Sequence, residues 1–202
     1  MPDWDKRYRE SASRPFGAEP NEYLREIMAR SDVRPGSALV LGDGDGRNGA
    51  WLASRGLAVT AVDISGVASD QAAAFDAENG VAVERITADL ADWTPPAGRT
   101  WDAALMFFLQ CEERVRHESA ARAAAALSPG GWFAAEGFSV AGEAAEGLGP
   151  KLARLLYDLE SLIAALPGFE VVEAFDGMTR LDEGERHKGA AKVVRLLARK
   201  PA

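Results

Sequence analysis

Short apolar runs alternate along this chain with alanine-rich, helix-like stretches, and turn residues separate the two. Ser37-Ala-Leu-Val-Leu41 follows Pro35 and Gly36 and runs straight into Gly42, as a strand buried in a parallel sheet does when it meets a loop. From Arg47 to Arg55 the composition turns helical, with Gly56 placed as a helix-ending glycine. Ala58–Val62 is then a second buried strand, ending on Asp63. The same pattern predicts a helix over 68–78, strands over 81–87 and 103–109, and a helix over 112–127. A Ser128-Pro-Gly-Gly131 turn leads into a strand over 132–138, and a helix over 150–166 closes at Pro167-Gly168. Two last strands, 169–175 and 190–198, follow with no helix between them. Alternation of strand and helix implies an α/β protein with a doubly wound, mostly parallel sheet, and the final strand pair implies a hairpin at one end. Ahead of all this, residues 1–20 are charged and aromatic and broken by Pro2, Pro15 and Pro20, which reads as an N-terminal arm. Asn21 reads as the N-cap of a helix to about Ser31, opening a single domain over 21–202.

Composition narrows the ligand class. The 202 residues are 47% hydrophobic and 27% charged, enough apolar surface to bury a core and too much for intrinsic disorder. With 23 Lys plus Arg against 31 Asp plus Glu the formal charge is −8, and no basic cluster offers itself to a nucleic-acid backbone. No apolar run approaches the roughly 18 residues of a membrane span, and the opening MPDWDKRYRE is too polar for a signal peptide, so the expected location is cytoplasmic. One cysteine, Cys111, makes neither an internal disulfide nor a Cys-rich zinc site, and no bound metal is expected. Small molecules are the expected partners; the sequence is silent on oligomeric state.

In open α/β sheets ligands sit beyond the carboxyl ends of the strands. Beyond the first strand lies Gly42-Asp-Gly-Asp-Gly46-Arg-Asn48, where glycines let backbone approach a ligand and the next helix offers unpaired N–H groups. Asp63 ends the second strand, 21 residues after Gly42, the spacing at which a carboxylate accepts hydrogen bonds from ribose hydroxyls. Together these imply a nucleoside ligand. Arg47 stands where the third glycine of the dinucleotide fingerprint belongs, which disfavours a nicotinamide or flavin cofactor. An EF-hand loop beginning at Asp43 fails, because its sixth position is Asn48 and its twelfth Ser54.

At this point the chain resembles the class I S-adenosylmethionine-dependent methyltransferases, in the small bacterial branch similar to tellurite-resistance and thiopurine methyltransferases. The motifs that carry the likeness are Trp4-Asp-Lys-Arg-Tyr8, Phe16-Gly17 and Pro20-Asn21 in the arm, and Leu41-Gly-Asp-Gly-Asp-Gly-Arg-Asn48 in the loop. Val62-Asp-Ile-Ser65, Ala88-Asp-Leu90, Leu127-Ser-Pro-Gly-Gly131 and Gly184-Glu-Arg-His-Lys-Gly189 continue it. The resemblance implies a Rossmann-like sheet of seven strands with an antiparallel last strand, helices on both faces, and S-adenosyl-L-methionine as cofactor. It also implies that Gly42, Gly44 and Gly46 line the methionine part, that Asp63 holds the ribose, that Ile64 packs on adenine, and that Asp89 and Leu90 meet its edge. Asn48 belongs to the same loop motif. Val40 departs from the pattern, since many members carry an acidic residue there; either Asp43 or Asp45 is then the carboxylate left for the cofactor's amino group.

Methyl transfer from a sulfonium needs an aligned nucleophile and a dry site more than a catalytic base. Trp4, Tyr8 and Phe16 are expected to form a lid, because hydrophobic residues in a charged arm need something to cover. Phe107 and Phe108 end the fourth strand and offer a wall to the site, or else belong to the core. Glu136 ends the fifth strand, facing either the site or a salt bridge, and Cys111 reads as a small buried hydrophobe. Arg186 and His187 are the candidate catalytic pair, facing a thiol or a chalcogen oxyanion, with Arg14 or Arg180 nearby. A solvated hairpin tip, in which the flanking acids neutralise both cations, is the competing reading of that pair. A non-catalytic cofactor-binding domain is the alternative function, and an oxidoreductase on a similar sheet is a third.

Overall fold

The protein is described from a computed structural model, over residues 3–11, 14–140, 148–184 and 187–202. Seven strands form one sheet in the order β3-β2-β1-β4-β5-β7-β6. They are β1 Ser37–Leu41, β2 Ala58–Asp63, β3 Glu84–Thr87, β4 Trp101–Phe107, β5 Leu127–Phe138, β6 Glu170–Asp182 and β7 Lys188–Arg199. β1 to β5 pair in parallel, while β7 runs antiparallel to both β5 and β6. The helices are α1 Trp4–Glu10, α2 Glu22–Ala29, α3 Arg47–Ser54, α4 Gly66–Glu78, α5 Glu113–Ala125 and α6 Leu159–Ala164. The expected fold is thus present: a Rossmann-like sheet, mostly parallel, flanked by helices.

Both faces of β1 are buried, which explains its unbroken apolar run. Leu39 and Leu41 join a core with Val115, Ala120 and Ala123 of α5 and Leu162 of α6. Ala38 and Val40 turn the other way, onto Tyr23, Leu24 and Ile27 of α2 and Leu52 of α3. Helix starts are fixed by side-chain caps: Asn21 accepts from the Leu24 N–H at 2.9 Å, Ser65 from Ala68, and Asp158 from Ser161.

Three features differ from the sequence reading or add to it. The arm carries a helix that the sequence reading did not place: Asp3 caps α1, and Asp5 ties it to the start of α4 by accepting from the Ser65 hydroxyl at 2.6 Å. The helix expected over 150–166 is interrupted. After a 3-10 turn at Ala153–Leu155, Tyr157 pairs with Ser139 as an isolated bridge and its ring lies against Gly137, leaving only the short α6. The third correction concerns the final strands, which are far longer than 169–175 and 190–198. Register continues from Glu170↔Arg199 to Asp182↔Lys188, so both ends of the charged run before Gly189 are paired strand.

Candidate functional site

A cleft opens beyond the carboxyl ends of β1, β2 and β4, lined by apolar and polar side chains together, as small-molecule sites are. Trp4, Tyr8, Gly42, Asp43, Gly44, Asn48, Asp63, Ile64, Asp89, Leu90, Phe107 and His187 all line it. Residues from the arm, from three strand ends and from the final hairpin therefore share one wall. Of the remaining candidates, Gly46 does not line the cavity. At φ 93° it is the N-cap of α3, and a Cβ there would run into Ala72 and Arg85, so its glycine is required by packing against α4. Arg186 lies outside the described residues.

Asp63 is held at the centre by backbone. Its carboxylate accepts from the Gly44 N–H at 2.8 Å and the Ser65 N–H at 2.9 Å. Burial pushes its pKa up, and those two N–H groups pull it back. Gly44 takes φ 58° and sits against the Tyr8 hydroxyl, leaving no room for a side chain. Tyr8 itself is buried, and desolvation together with Asp63, Asp45 and Asp43 raises its phenol well above the ordinary value.

The two loop carboxylates have different fates. Asp43 is spent on the protein: it accepts from the Gly49 N–H at 3.1 Å and pairs with Arg85 at 3.0 Å, while Asp76 holds the other side of that guanidinium at 2.7 Å. Burial nonetheless moves Asp43 up to about 6, with Arg85 opposing. Asp45 is only 2% exposed, and its Oδ2 has no hydrogen-bond partner. Its nearest charge is Arg14 Nε at 3.5 Å.

Behind the cavity lies a buried polar hub that sequence reasoning missed. Glu183 accepts from Arg47 at 2.6 Å, from the Asn21 amide at 3.0 Å and from the Glu22 N–H at 2.7 Å. Arg47 also donates to the carbonyl of Phe16 at 2.9 Å, and the Asn21 N–H donates to Asn48 at 2.8 Å. Glu136 proves to be the salt-bridged alternative: fully buried, it pairs with Arg195 at 2.6 Å and accepts from Asn21 at 2.6 Å. The hub joins arm, cofactor-loop helix, sheet and hairpin tip. Within it the tip and the arm touch backbone to backbone, since Gly17 and Gly184, at φ 77° and 71°, each occupy the space a Cβ on the other would need. The sequence signals were Arg47 in place of a third glycine and the acid-rich tip; neither indicates the other.

His187 is not on a solvated turn. It is 2% exposed, with its ring centroid 4.2 Å from Phe108, 4.9 Å from Phe16 and 5.5 Å from Phe138. Its Nδ1 lies 3.7 Å from Glu183 and has no hydrogen-bond partner. Burial lowers its pKa against the pull of Glu183, so the imidazole is neutral at pH 7. Phe108 takes φ 51°, the single positive value outside glycine among the described residues, and this turns the chain at the end of β4. Cys111 lines the cavity as a buried thiol, pushed up to about 11 by desolvation. His117 lies outside the site, on α5 beside Glu113.

Residues 38–131, from β1 into β5, match the family model of a methyltransferase domain. No curated protein sequence matches. Solved structures of the same fold are plentiful at low identity. One, described as converting a disulfide bond into a thioacetal group during echinomycin biosynthesis, is 19% identical at TM-score 0.73, with 98% of this chain and 90% of that chain covered. The N-methyltransferase NodS from Bradyrhizobium japonicum, in complex with S-adenosylhomocysteine, is 14% identical at TM-score 0.72, with both chains fully covered. TehB from Haemophilus influenzae is 17% identical at TM-score 0.70, over 98% of this chain. This chain spans 65% of the TehB chain's length. These likenesses establish the fold, which is that of S-adenosylmethionine-dependent methyltransferases. Among the described residues no cluster of His, Cys, Asp or Glu is arranged to hold a metal, and no helix is long and apolar enough to cross a membrane.

Proposed function

We propose that the protein is a cytoplasmic S-adenosylmethionine-dependent methyltransferase acting on a small-molecule acceptor. The observation that carries this reading is Asp63, a half-buried carboxylate lining a cavity built from a glycine loop and three strand ends, oriented by the Gly44 and Ser65 N–H groups. Those bonds leave lone pairs for a pair of ribose hydroxyls. Ile64 and Leu90 supply apolar surface for a purine, with Asp89 at its edge, while Gly42 and Gly44 let backbone close on the methionine part and Asn48 completes the loop wall. The bound cofactor would supply an electrophilic methyl group on a sulfonium.

The chain's own residues then have three tasks. Trp4, Tyr8 and Phe16 close the cavity and exclude water, with α1 fixed by Asp5. Phe107 and Phe108 wall the acceptor side. His187, whose Nδ1 faces Glu183, takes the proton of an acidic S–H or O–H acceptor on its other ring nitrogen as the new bond to carbon forms, and Arg186, its neighbour in sequence, is the second member of the candidate pair. The lining favours a thiol over a chalcogen oxyanion. Asp45, Asp63 and Asp89 line the cavity, and Arg47, the guanidinium among the described lining residues, is already bound to Glu183.

One solved structure of this fold is the [4+2]-cyclase SpnF, 17% identical at TM-score 0.68, which keeps a non-methylating role open on fold grounds. Calorimetry with S-adenosylmethionine, S-adenosylhomocysteine and NAD, followed by methyl transfer to a panel of thiols, selenite and tellurite, tests the reading. Micromolar binding of the first two and turnover of a thiol are expected. Cofactor binding without turnover of any acceptor would favour the binding-domain alternative, and binding of NAD instead would overturn the proposal. Asp63→Ala should weaken S-adenosylhomocysteine about ten- to a hundredfold, the loss expected for a charged acceptor.

A further inference from the structure

The two edges of the sheet are finished differently. At one end β3 has only 4 residues, too short to offer another chain much to pair with. At the other end β6 runs for 13 residues and contains neither proline nor lysine. β7 occupies one side of it; among the described residues no strand pairs with the other side, and no loop hydrogen-bonds to its backbone. The one irregularity of register lies between Val171 and Glu173, so the stretch from Ala174 to Asp182 is regular strand. Such an edge is a row of N–H and C=O groups aligned for a further strand. On it Ala174, Asp176, Met178, Arg180 and Asp182 share one face and are all exposed. Met178, at 60%, is the most exposed large hydrophobic residue described.

We propose that the β6 edge joins two copies of this chain, paired antiparallel about a twofold axis at Met178, so that their two sheets continue as one. A twofold axis normal to the sheet keeps each face on its own side, so opposed residues lie an even number apart in sequence. Few registers on 174–182 satisfy this, and charge chooses among them. Centred on Met178, the pairing sets Asp176 of each copy against Arg180 of the other, two opposite-charge pairs flanking a contact between the two Met178 side chains. Centred on Gly177, Asp176 meets Met178 and Arg180 meets Ala174, so no charge is matched. Centred on Asp176 the two carboxylates oppose each other, and centred on Thr179 Asp176 meets Asp182. Within its own chain Asp176 has Lys192 of β7 at 3.8 Å, so Arg180 from the second copy continues a row of alternating charge across the joined sheets. Arg180 itself has no carboxylate partner among the described residues.

Sedimentation and hydrogen exchange on the full chain test this without any ligand. At about 100 μM the wild type should sediment with twice the mass of one chain. In that dimer the amides of residues 174–182 should all be protected, those directed away from β7 included. Arg180→Glu sets like charges opposite each other twice and should weaken the dimer about ten- to a hundredfold. Asp176→Arg combined with Arg180→Asp exchanges the charges and should restore it. A wild type that stays at the mass of one chain overturns the proposal. So does a dimer in which alternate amides of β6 exchange freely, an observation that depends on no variant. An Arg180→Glu protein that associates as tightly as wild type, or an exchanged pair that melts like wild type yet fails to recover the dimer, refutes the register and the proposal with it.

Discussion

Replacing Glu183 by Gln removes one negative charge from the hub while keeping its shape, and the structure sets the size of the effect. Burial alone would raise the pKa of this carboxyl. His187, the Arg47 guanidinium and the Glu22 N–H outweigh it and hold the value at about 2, against an ordinary 4.5. That gap corresponds to about 3 kcal/mol of folding stability at pH 7. Breaking a buried ion pair from one side, which here strands Arg47 at 6% exposure, costs about 3–5 kcal/mol and points the same way. Because the folded value lies below the unfolded one, the contribution is complete above about pH 4.5 and disappears as the pH falls towards 2. Urea denaturation of wild type and Glu183→Gln at pH 7 and at pH 3 measures it. A difference of about 3 kcal/mol at pH 7, shrinking to about 1.5 kcal/mol at pH 3, is expected. A difference that is negligible at pH 7, or equally large at both pH values, refutes the assignment of the stabilisation to this charge.

Three other perturbations probe the same architecture. Gly184→Ala forces a side chain into the backbone of Phe16 and Gly17 at a positive φ, and should destabilise the protein by about 1–3 kcal/mol while raising hydrogen exchange in residues 14–20; unchanged exchange there would show that tip and arm are not packed together. Removing residues 1–11 takes away α1 but leaves the Arg47–Phe16 contact, so the melting transition should stay cooperative while S-adenosylhomocysteine binds at least about tenfold more weakly; equal affinity would refute the lid. Cys111, raised to about 11, should react with iodoacetamide far more slowly than free cysteine at pH 7 and only gain rate as the pH approaches 10; rapid labelling at neutral pH would contradict its burial.

Much of this protein was legible in one dimension because the signals are local. A strand buried on both faces is an unbroken apolar run, so β1, β2 and β4 could be placed within two residues, and the loop after β1 declares itself through glycines that adopt positive φ. Asp63 was legible for a similar reason, as the last residue of a buried strand. Local signals also misled. The composition over 150–166 is helical, but Tyr157 packs its ring on Gly137 and bridges to Ser139, and the helix is interrupted there. The length of β6 and β7 was likewise hidden, since a charged, half-exposed hairpin is held by its pairing and not by hydrophobic periodicity.

The functional details that only tertiary structure decided all involve partners distant in sequence. Asp43 and Asp45 are two residues apart and chemically identical; Arg85, arriving on β3, pairs with one at 3.0 Å, and Arg14, from the arm, stands 3.5 Å from the other. The reading of His187 as solvated rested on its acidic neighbours in sequence, whereas Phe16, Phe108 and Phe138 surround it in space. Glu183 looked like one more surface charge until folding brought Asn21, Arg47 and Glu22 around it, from more than a hundred residues away. Sequence determines which groups are available and which backbone paths they favour. Whether a carboxylate ends as a latch, a core ion pair or an open ligand anchor depends on which donors the fold delivers to it once water has been excluded.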